Sequence, residues 1–271
     1  MIQALVVFGS DSDASVYDKI LAGLRERGIK AELRICSAHR TPKKLDRILR
    51  ETNAHIIVAG AGLSAALPGV IASHSIKPVI GVPVSGNYGG LDALLSVHQM
   101  PGGMPVIGVG IDAADEASNA VALALHKHEK VKILSKLGDN EKITKRLYKG
   151  INVFEEMGVE FQIVDDLGLS FDETHELVVN LHPLGEEPIE RENALIINVP
   201  MKEGATEKDA LTLMSQTQKG LWVGLNRVEN ACLAAVQLMN VNFSGFSRKL
   251  NEHREKQKQK VFEADERENK K

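Results

Sequence analysis

Ala31-Glu32-Leu33-Arg34-Ile35-Cys36, followed at once by Ser37-Ala38-His39-Arg40-Thr41-Pro42, is the stretch from which the rest of the chain can be read. Its first half alternates apolar and polar residues as a strand does, and Lys43 to Arg50 then carries Leu45, Ile48 and Leu49 at helical spacing. Thr41 is the expected N-cap and Pro42 the expected first helical residue. An imidazole and a guanidinium thus stand side by side at the carboxyl end of a strand, where open α/β sheets bind their ligands.

The same unit recurs on either side. Ile2 to Phe8 is an apolar run followed by a helical pattern, Ala14 to Arg27, with Val16, Ile20, Leu21 and Leu24 on one face and Gly28 as its stop. His55 to Ala59 then Ser64 to Ser73, Pro78 to Val84 then Leu91 to Met100, and Met104 to Ile111 then Asp115 to His128 repeat it. Five such units predict an α/β fold with a parallel sheet covered on both faces. Right-handed crossovers gather the strand-to-helix turns at one edge: Gly9 to Asp13, Ser37 to Thr41, Gly60 to Leu63 and Ser85 to Gly90. With strand order 2-1-3-4-5, the switch point falls between the first and third strands, and His39 flanks it.

At 271 residues with 43% hydrophobic content, the chain is long enough for a packed core. A net charge of -3 gives no overall pull toward nucleic acid or an anionic membrane. Cys36 and Cys232, far apart, suggest neither a disulfide framework nor a zinc cluster, which fits a reducing cytoplasm. The N-terminus opens on a strand-like segment, so neither export nor membrane insertion is expected.

Lys130 to Gly150 is lysine-rich with helical spacing and reads as a connector. Beyond it the chain repeats itself. Laying Val199-Pro200 on Val82-Pro83 also lays Asp209-Ala210-Leu211 on Asp92-Ala93-Leu94, Gln216 on Gln99, Gly220 on Gly103 and Val223 on Val106 without a gap. After a shorter turn, Asn230-Ala231 echoes Asn119-Ala120. Upstream of Leu195 only Val159 to Val164 reads as a strand and Phe171 to Leu181 as a helix. The second half therefore reads as a truncated copy without the four chemical turns, and an unrelated α/β appendage is the alternative. The expected division is a domain over 1–130, a helical connector over 131–150, and a degenerate repeat over 151–271 ending in a charged helix with a frayed end.

Gly9-Ser10-Asp11-Ser12-Asp13 lies where a helix start exposes free amides, so its hydroxyls suit an oxyanion and its carboxylates a ribose diol. Alone, such a turn is also an ordinary helix cap. Gly60-Ala61-Gly62-Leu63-Ser64 lets backbone approach a ligand closely. Arg40 can grip a phosphate in bidentate fashion, and His39 brings an imidazole, the side chain most often used for general acid/base work.

At these motifs the segment from Val7 to Ala124 resembles the aminoimidazole ribonucleotide carboxylase family of purine biosynthesis. The matching stretches are Gly9 to Asp13, Ser37 to Pro42, Ala59-Gly60-Ala61-Gly62 with Leu67-Pro68-Gly69, Pro78 to Val84, and Gln99-Met100-Pro101. The resemblance implies a flavodoxin-like three-layer sandwich and a substrate that is a phosphorylated aminoimidazole riboside exchanging carbon dioxide. It implies a reaction without metal or cofactor, in which His39 moves a proton at carbon 4 of the imidazole. Carried over, Ser10 and Arg40 hold the phosphate and Asp13, with Asp11 beside it, the ribose. Ser37 and the turn Gly62, Leu63 and Ser64 hold the base and the migrating carboxyl group.

One position departs from the pattern: the mutase form of the family has histidine where this chain has Ala66, and His74 and His98 are the nearby candidates to replace it. The carboxyl donor, either an N-carboxylated nucleotide or free carbon dioxide, stays open, and Arg40 leans toward the former. The resemblance further implies a cytoplasmic, symmetric homo-oligomer, commonly an octamer, with sites at subunit interfaces. The internal repeat adds the expectation that the degenerate copy acts as a pseudo-subunit, so that four chains imitate eight subunits. Two other functions fit the same residues: a carboxylase of another mononucleotide, such as a pyridinium one, and a nucleotide-binding regulatory protein without catalysis.

Overall fold

The computed structural model describes residues 2–135, 141–168, 171–189 and 191–270. The first half runs β1 (Ala4–Phe8), α1 (Ala14–Glu26), β2 (Ala31–Ile35), α2 (Pro42–Glu51), β3 (Ile56–Ala61), α3 (Ala66–His74), β4 (Val79–Pro83), α4 (Leu91–His98), β5 (Ile107–Gly108) and α5 (Ala114–Ala124). Strands β1 and β4 are buried along their whole length, and β3 at all but its last residue. Their side chains divide between two cores. Ala4, Val6, Phe8, Ile56, Val58, Ile80 and Val82 pack against α1 and α5. Leu5, Val7, Ile57 and Ala59 meet α2, α3 and α4 on the other face. This is the expected three-layer sandwich, with parallel strands in the order β2-β1-β3-β4-β5.

The second half runs β6 (Lys130–Ser135), α6 (Glu141–Met157), β7 (Phe161–Val164), β8 (Glu176–Pro183), β9 (Leu195–Met201), α7 (Asp209–Gln216), β10 (Leu221–Trp222), α8 (Val228–Met239) and α9 (Ser247–Asn269). Its strand order, β7-β6-β8-β9-β10, is again 2-1-3-4-5. Among the described residues the two half-sheets join edge to edge into one sheet of ten strands, with β10 antiparallel to β5 and Trp222 opposite Gly108. Because the join is antiparallel, the carboxyl ends of the two sets of strands point to opposite ends of the sheet.

Several sequence readings change. Lys130 to Ser135 is the first strand of the second half rather than part of a connector, and its apolar Val131, Ile133 and Leu134 are buried between β7 and β8. Residues 136–140 of the expected connector lie outside the described residues. The helix expected over Phe171 to Leu181 is instead β8: Leu177 to His182 are buried between β6 and β9, and a run covered on both faces carries no period to separate strand from helix. The expected frayed end is helical to Asn269.

What the second half lacks, among the described residues, is a helix between β7 and β8 and another between β8 and β9. The repeat register also shifts. Gly81 pairs with Gly108 and Asn198 with Trp222, yet Gly108 lies five residues past Gly103 and Trp222 only two past Gly220. Val223 is therefore the counterpart of Val109 rather than Val106. By the helix starts, Asn230 corresponds to Glu116 rather than Asn119.

Reciprocal contacts hold the seam. Gly110 lies against the carbonyls of Thr217 and Gln218, and Gly224 against the His98 carbonyl and Gln99. Asn230 reaches across it: Gly103 N donates to Asn230 Oδ1 at 2.9 Å, and Asn230 Nδ2 donates to Pro101 O at 3.0 Å. No described helix is long and apolar enough to cross a membrane.

Candidate active site

The four turns of the first half open onto one cleft of about 680 Å³. In the first, Ser12 N and Ser12 Oγ both donate to Ser10 Oγ, at 3.2 and 2.8 Å, and the turn runs through a short 3-10 segment into α1. Ser10, Ser12 and Asp13 line the cleft. Burial raises the Asp13 carboxyl above its ordinary pKa; the Ser12 hydroxyl opposes this, while the negative charges of Asp112 and Asp11 add to it. A carboxyl raised in the folded state penalises folding at neutral pH, and the penalty disappears as the pH falls below the unfolded value of about 4. Asp13→Asn is accordingly expected to raise the ligand-free melting temperature at pH 7 and to lose that advantage toward pH 3, which thermal melts across the range would show.

The second turn is closed by Thr41. Its hydroxyl accepts from Ser37 N at 3.0 Å and donates to Ser37 O at 3.1 Å, so it bonds backward into the turn and makes no side-chain cap on α2. Arg40 N donates to Ser37 Oγ at 3.2 Å, and Arg40 Nη2 donates to Gly9 O at 3.0 Å, tying the second turn to the first. The remaining guanidinium N–H groups make no bond to a described residue. His39 is exposed on the cleft wall, with no described partner on its ring.

The third turn leaves β3 in a left-handed conformation at Leu63 and Ser64, with φ of 24° and 54°. It is held there by Ser64 N donating to Asp92 Oδ2 at 2.7 Å. Gly60 is required just before it, because a Cβ would fall 2.1 Å from the Phe8 ring. In the fourth turn Ser85 N donates to Asp112 Oδ1 at 2.9 Å, and Ser85, Gly86 and Asn87 form the far wall.

Of the residues singled out in the sequence, Ser10, Asp13, Ser37, His39, Arg40, Gly62 and Leu63 meet at the cleft. Asp11 and Ser64 are not on its wall: Asp11 Oδ1 accepts from Ser10 Oγ at 3.4 Å, and Ser64 serves the turn through its backbone. Ser12 and Asn87 are lining residues that the sequence reading passed over, although both lie in turns it had marked. Ala66 brings a methyl group to the wall, and neither candidate replacement reaches it. His74 sits in a separate depression, its Nδ1 3.7 Å from Asp46 Oδ1. His98 is buried against Gly108, and burial pushes its pKa down to about 4. Among the described residues no three His, Cys, Asp or Glu side chains are grouped to hold a metal ion.

The corresponding edge of the second half is built differently. Left-handed Asp112 and Asn226 correspond, since each backbone N–H bonds a proline carbonyl, Pro83 O and Pro200 O, at 2.9 and 2.8 Å. Each also accepts through Oδ1 from the turn beside it, from Ser85 N and Lys202 N. Gly28 and Gly158, both at φ 71°, end α1 and α6 alike, so Lys142 takes the place of Ser12 and Arg146 that of Val16. Where the first half has its cleft, Lys142 Nζ donates to Glu203 Oε1 at 2.7 Å and Arg146 Nη1 donates to Lys202 O at 2.9 Å. Asp209 and Gln216 are structural: Asp209 accepts from Lys202 Nζ at 2.6 Å and from Thr206, and Gln216 Nε2 donates to Glu186 O at 2.5 Å.

A parallel sheet of order 2-1-3-4-5, with a serine turn, an arginine and an imidazole on one cleft at its switch point, defines an α/β protein of flavodoxin-like topology with a ligand-sized cleft where such sheets bind their ligands. Comparison with known proteins narrows this class. The AIR carboxylase family model matches residues 3–146, more than half of the chain, and the chain belongs to that family. An N5-carboxyaminoimidazole ribonucleotide mutase of Methanocaldococcus jannaschii is 42% identical over 153 residues, covering 56% of this chain and 97% of that protein. Mutases of the same name from Pyrococcus horikoshii and Mycobacterium tuberculosis are 46% and 48% identical, covering 44% and 41% of this chain and 68% and 67% of those proteins. The crystal structure of Treponema denticola PurE is 28% identical with a TM-score of 0.40, covering 43% of this chain and 75% of that one.

Proposed function

We propose that the first half of this chain forms 4-carboxy-5-aminoimidazole ribonucleotide in purine biosynthesis, by moving the carboxyl group of the N-carboxylated nucleotide to carbon 4. The observation that carries the reading is the convergence of Ser10, Asp13, Ser37, His39, Arg40 and Gly62 on one cleft in a chain of this family. The phosphate meets the Ser10 hydroxyl and the Arg40 guanidinium, and the ribose hydroxyls meet the Asp13 carboxylate. The base and the carboxyl group lie between Ser37 and the Gly62 turn.

Carbon dioxide leaving nitrogen in a confined cleft stays close enough to be recaptured at carbon 4. The bond to nitrogen breaks with its electron pair left on nitrogen, which takes up one proton. Carbon 4 forms the new bond to carbon dioxide and then carries both a hydrogen and the carboxylate. His39 removes that hydrogen as a proton to restore the aromatic ring, so that one proton moves in net from carbon 4 to nitrogen. The second half is a degenerate copy without this chemistry. The test is an assay of the purified chain with two donors, the N-carboxylated nucleotide and aminoimidazole ribonucleotide with bicarbonate, following the carbon 4 carboxylate. Product from the first donor at low bicarbonate is expected. Product only with bicarbonate would make the enzyme a direct carboxylase, and none from either would overturn the reading.

The same proposal includes a cytoplasmic assembly of four chains that imitates an octamer. Leu63 and Tyr88, 69% and 82% exposed, stand at and beside the cleft rim, and α7, whose Met214 lies against Gly89, adds Leu211 at 64%. Exposed apolar side chains grouped around a site are what a subunit contact covers. Light scattering is expected to give the mass of four chains, and a monomer at working concentration would remove the assembly.

A further inference from the structure

The lysine-rich stretch that begins α6 has no part in the chemistry proposed for the cleft. Lys142, Lys145, Arg146 and Lys149 stand within eight residues of one helix. Arg146 and Lys149 turn toward the loop after β10, where Leu225, Asn226, Arg227 and Glu229 complete a separate concavity of about 280 Å³. Three cations and one carboxylate line it. Among the described residues none of the three cations has a carboxylate oxygen within 4 Å, and the one bond they make is from Arg146 to the Lys202 carbonyl.

The counterpart place in the first half has the opposite sign: Asp112 stands where Asn226 is, Ala113 where Arg227 is, and Val16 where Arg146 is. Like charges facing one concavity repel one another, and a bound anion removes that repulsion while using the guanidinium N–H groups. The concavity is of a size for one or two phosphoryl groups.

We propose that Arg146, Lys149 and Arg227 form a second binding site, for a phosphate-bearing small molecule, at the end of the sheet opposite the catalytic cleft. It is independent of the chemistry proposed for that cleft. Glu229, on its wall, also packs against Gly102, and Asn230 beside it grips Pro101 and Gly103, so the site adjoins the contact that joins the two halves.

The test uses inorganic pyrophosphate and calorimetry on the full chain carrying Arg40→Gln, which removes the phosphate-holding guanidinium of the cleft. Pyrophosphate is expected to bind this protein, and adding Lys149→Gln and Arg227→Gln is expected to weaken binding about tenfold or more. If the combined variant does not melt as a folded protein, exposed Lys149→Gln alone is expected to weaken binding severalfold. No binding to the Arg40→Gln protein, or binding unchanged by these substitutions, overturns the proposal. Neither result bears on turnover, which a Lys149→Gln, Arg227→Gln chain with Arg40 intact is expected to keep.

Discussion

His39→Asn is expected to lower turnover by about 10²- to 10⁴-fold, the range for losing one positioned proton carrier, and to leave nucleotide affinity within a few-fold. Asparagine keeps a polar group of similar reach, and the ring it replaces makes no bond to a described residue, so the fold has little to lose. On the proposed reading Ser10 and Arg40 still hold the phosphate, so binding persists while the proton at carbon 4 has no acceptor. Single-turnover rates together with calorimetric titration of the product separate the two effects. Normal turnover in the variant would show that another group, or water, moves the proton. Loss of binding together with activity would show that His39 serves to hold the substrate.

Gly224→Ala is expected to be strongly destabilising at the seam. A Cβ there would lie 2.6 Å from the His98 carbonyl oxygen and 2.9 Å from Gln99 Oε1, and a backbone carbonyl at the end of α4 cannot swing aside as a side chain tip can. Overpacking of this kind costs about 3 kcal/mol, which in a chain of this length lowers Tm by about 6–12 °C. Gly110→Ala meets the carbonyls of Gln218 and Thr217 at 2.6 and 2.9 Å and should behave alike. Gly204→Ala is the control, since nothing lies within 4 Å of the added methyl. A Gly224→Ala protein melting within 2 °C of the parent would mean that the two halves do not depend on this approach.

The first half was legible because its chemistry and its periodicity coincide. Each strand is a short apolar run, each helix has one apolar face, and Gly28 and Pro42 mark a stop and a start where the structure has them. The site was legible as turns rather than as side chains: Ser12 and Asn87 were missed because turn chemistry alone does not say which hydroxyl or amide faces inward. Ser64 was placed on the wall although its part is played by its backbone N–H.

The second half was harder for a physical reason. Leu177 to His182 is buried on both faces, so its sequence carries neither a two-residue nor a 3.6-residue period. Lys130 and Lys132 disguised β6 as part of a basic connector, and the Lys132 ammonium is in fact buried in an ion pair, 2.8 Å from Glu176. The ungapped repeat concealed a three-residue contraction between Gly220 and Leu221, which the pairing of Gly81 with Gly108 and of Asn198 with Trp222 reveals.

The ladder that joins the two half-sheets is short, since between β5 and β10 it pairs Trp222 with Gly108. The seam around it is broad: α4 packs on α7 and α5 on β9, Glu229 and Gln257 lie against Gly102 and Gly103, and one continuous apolar core takes in β1, α5, β9 and α8. Two sets of parallel strands that face opposite ways therefore share a single close-packed interior, and a misfit introduced on one side of the seam is borne by both halves.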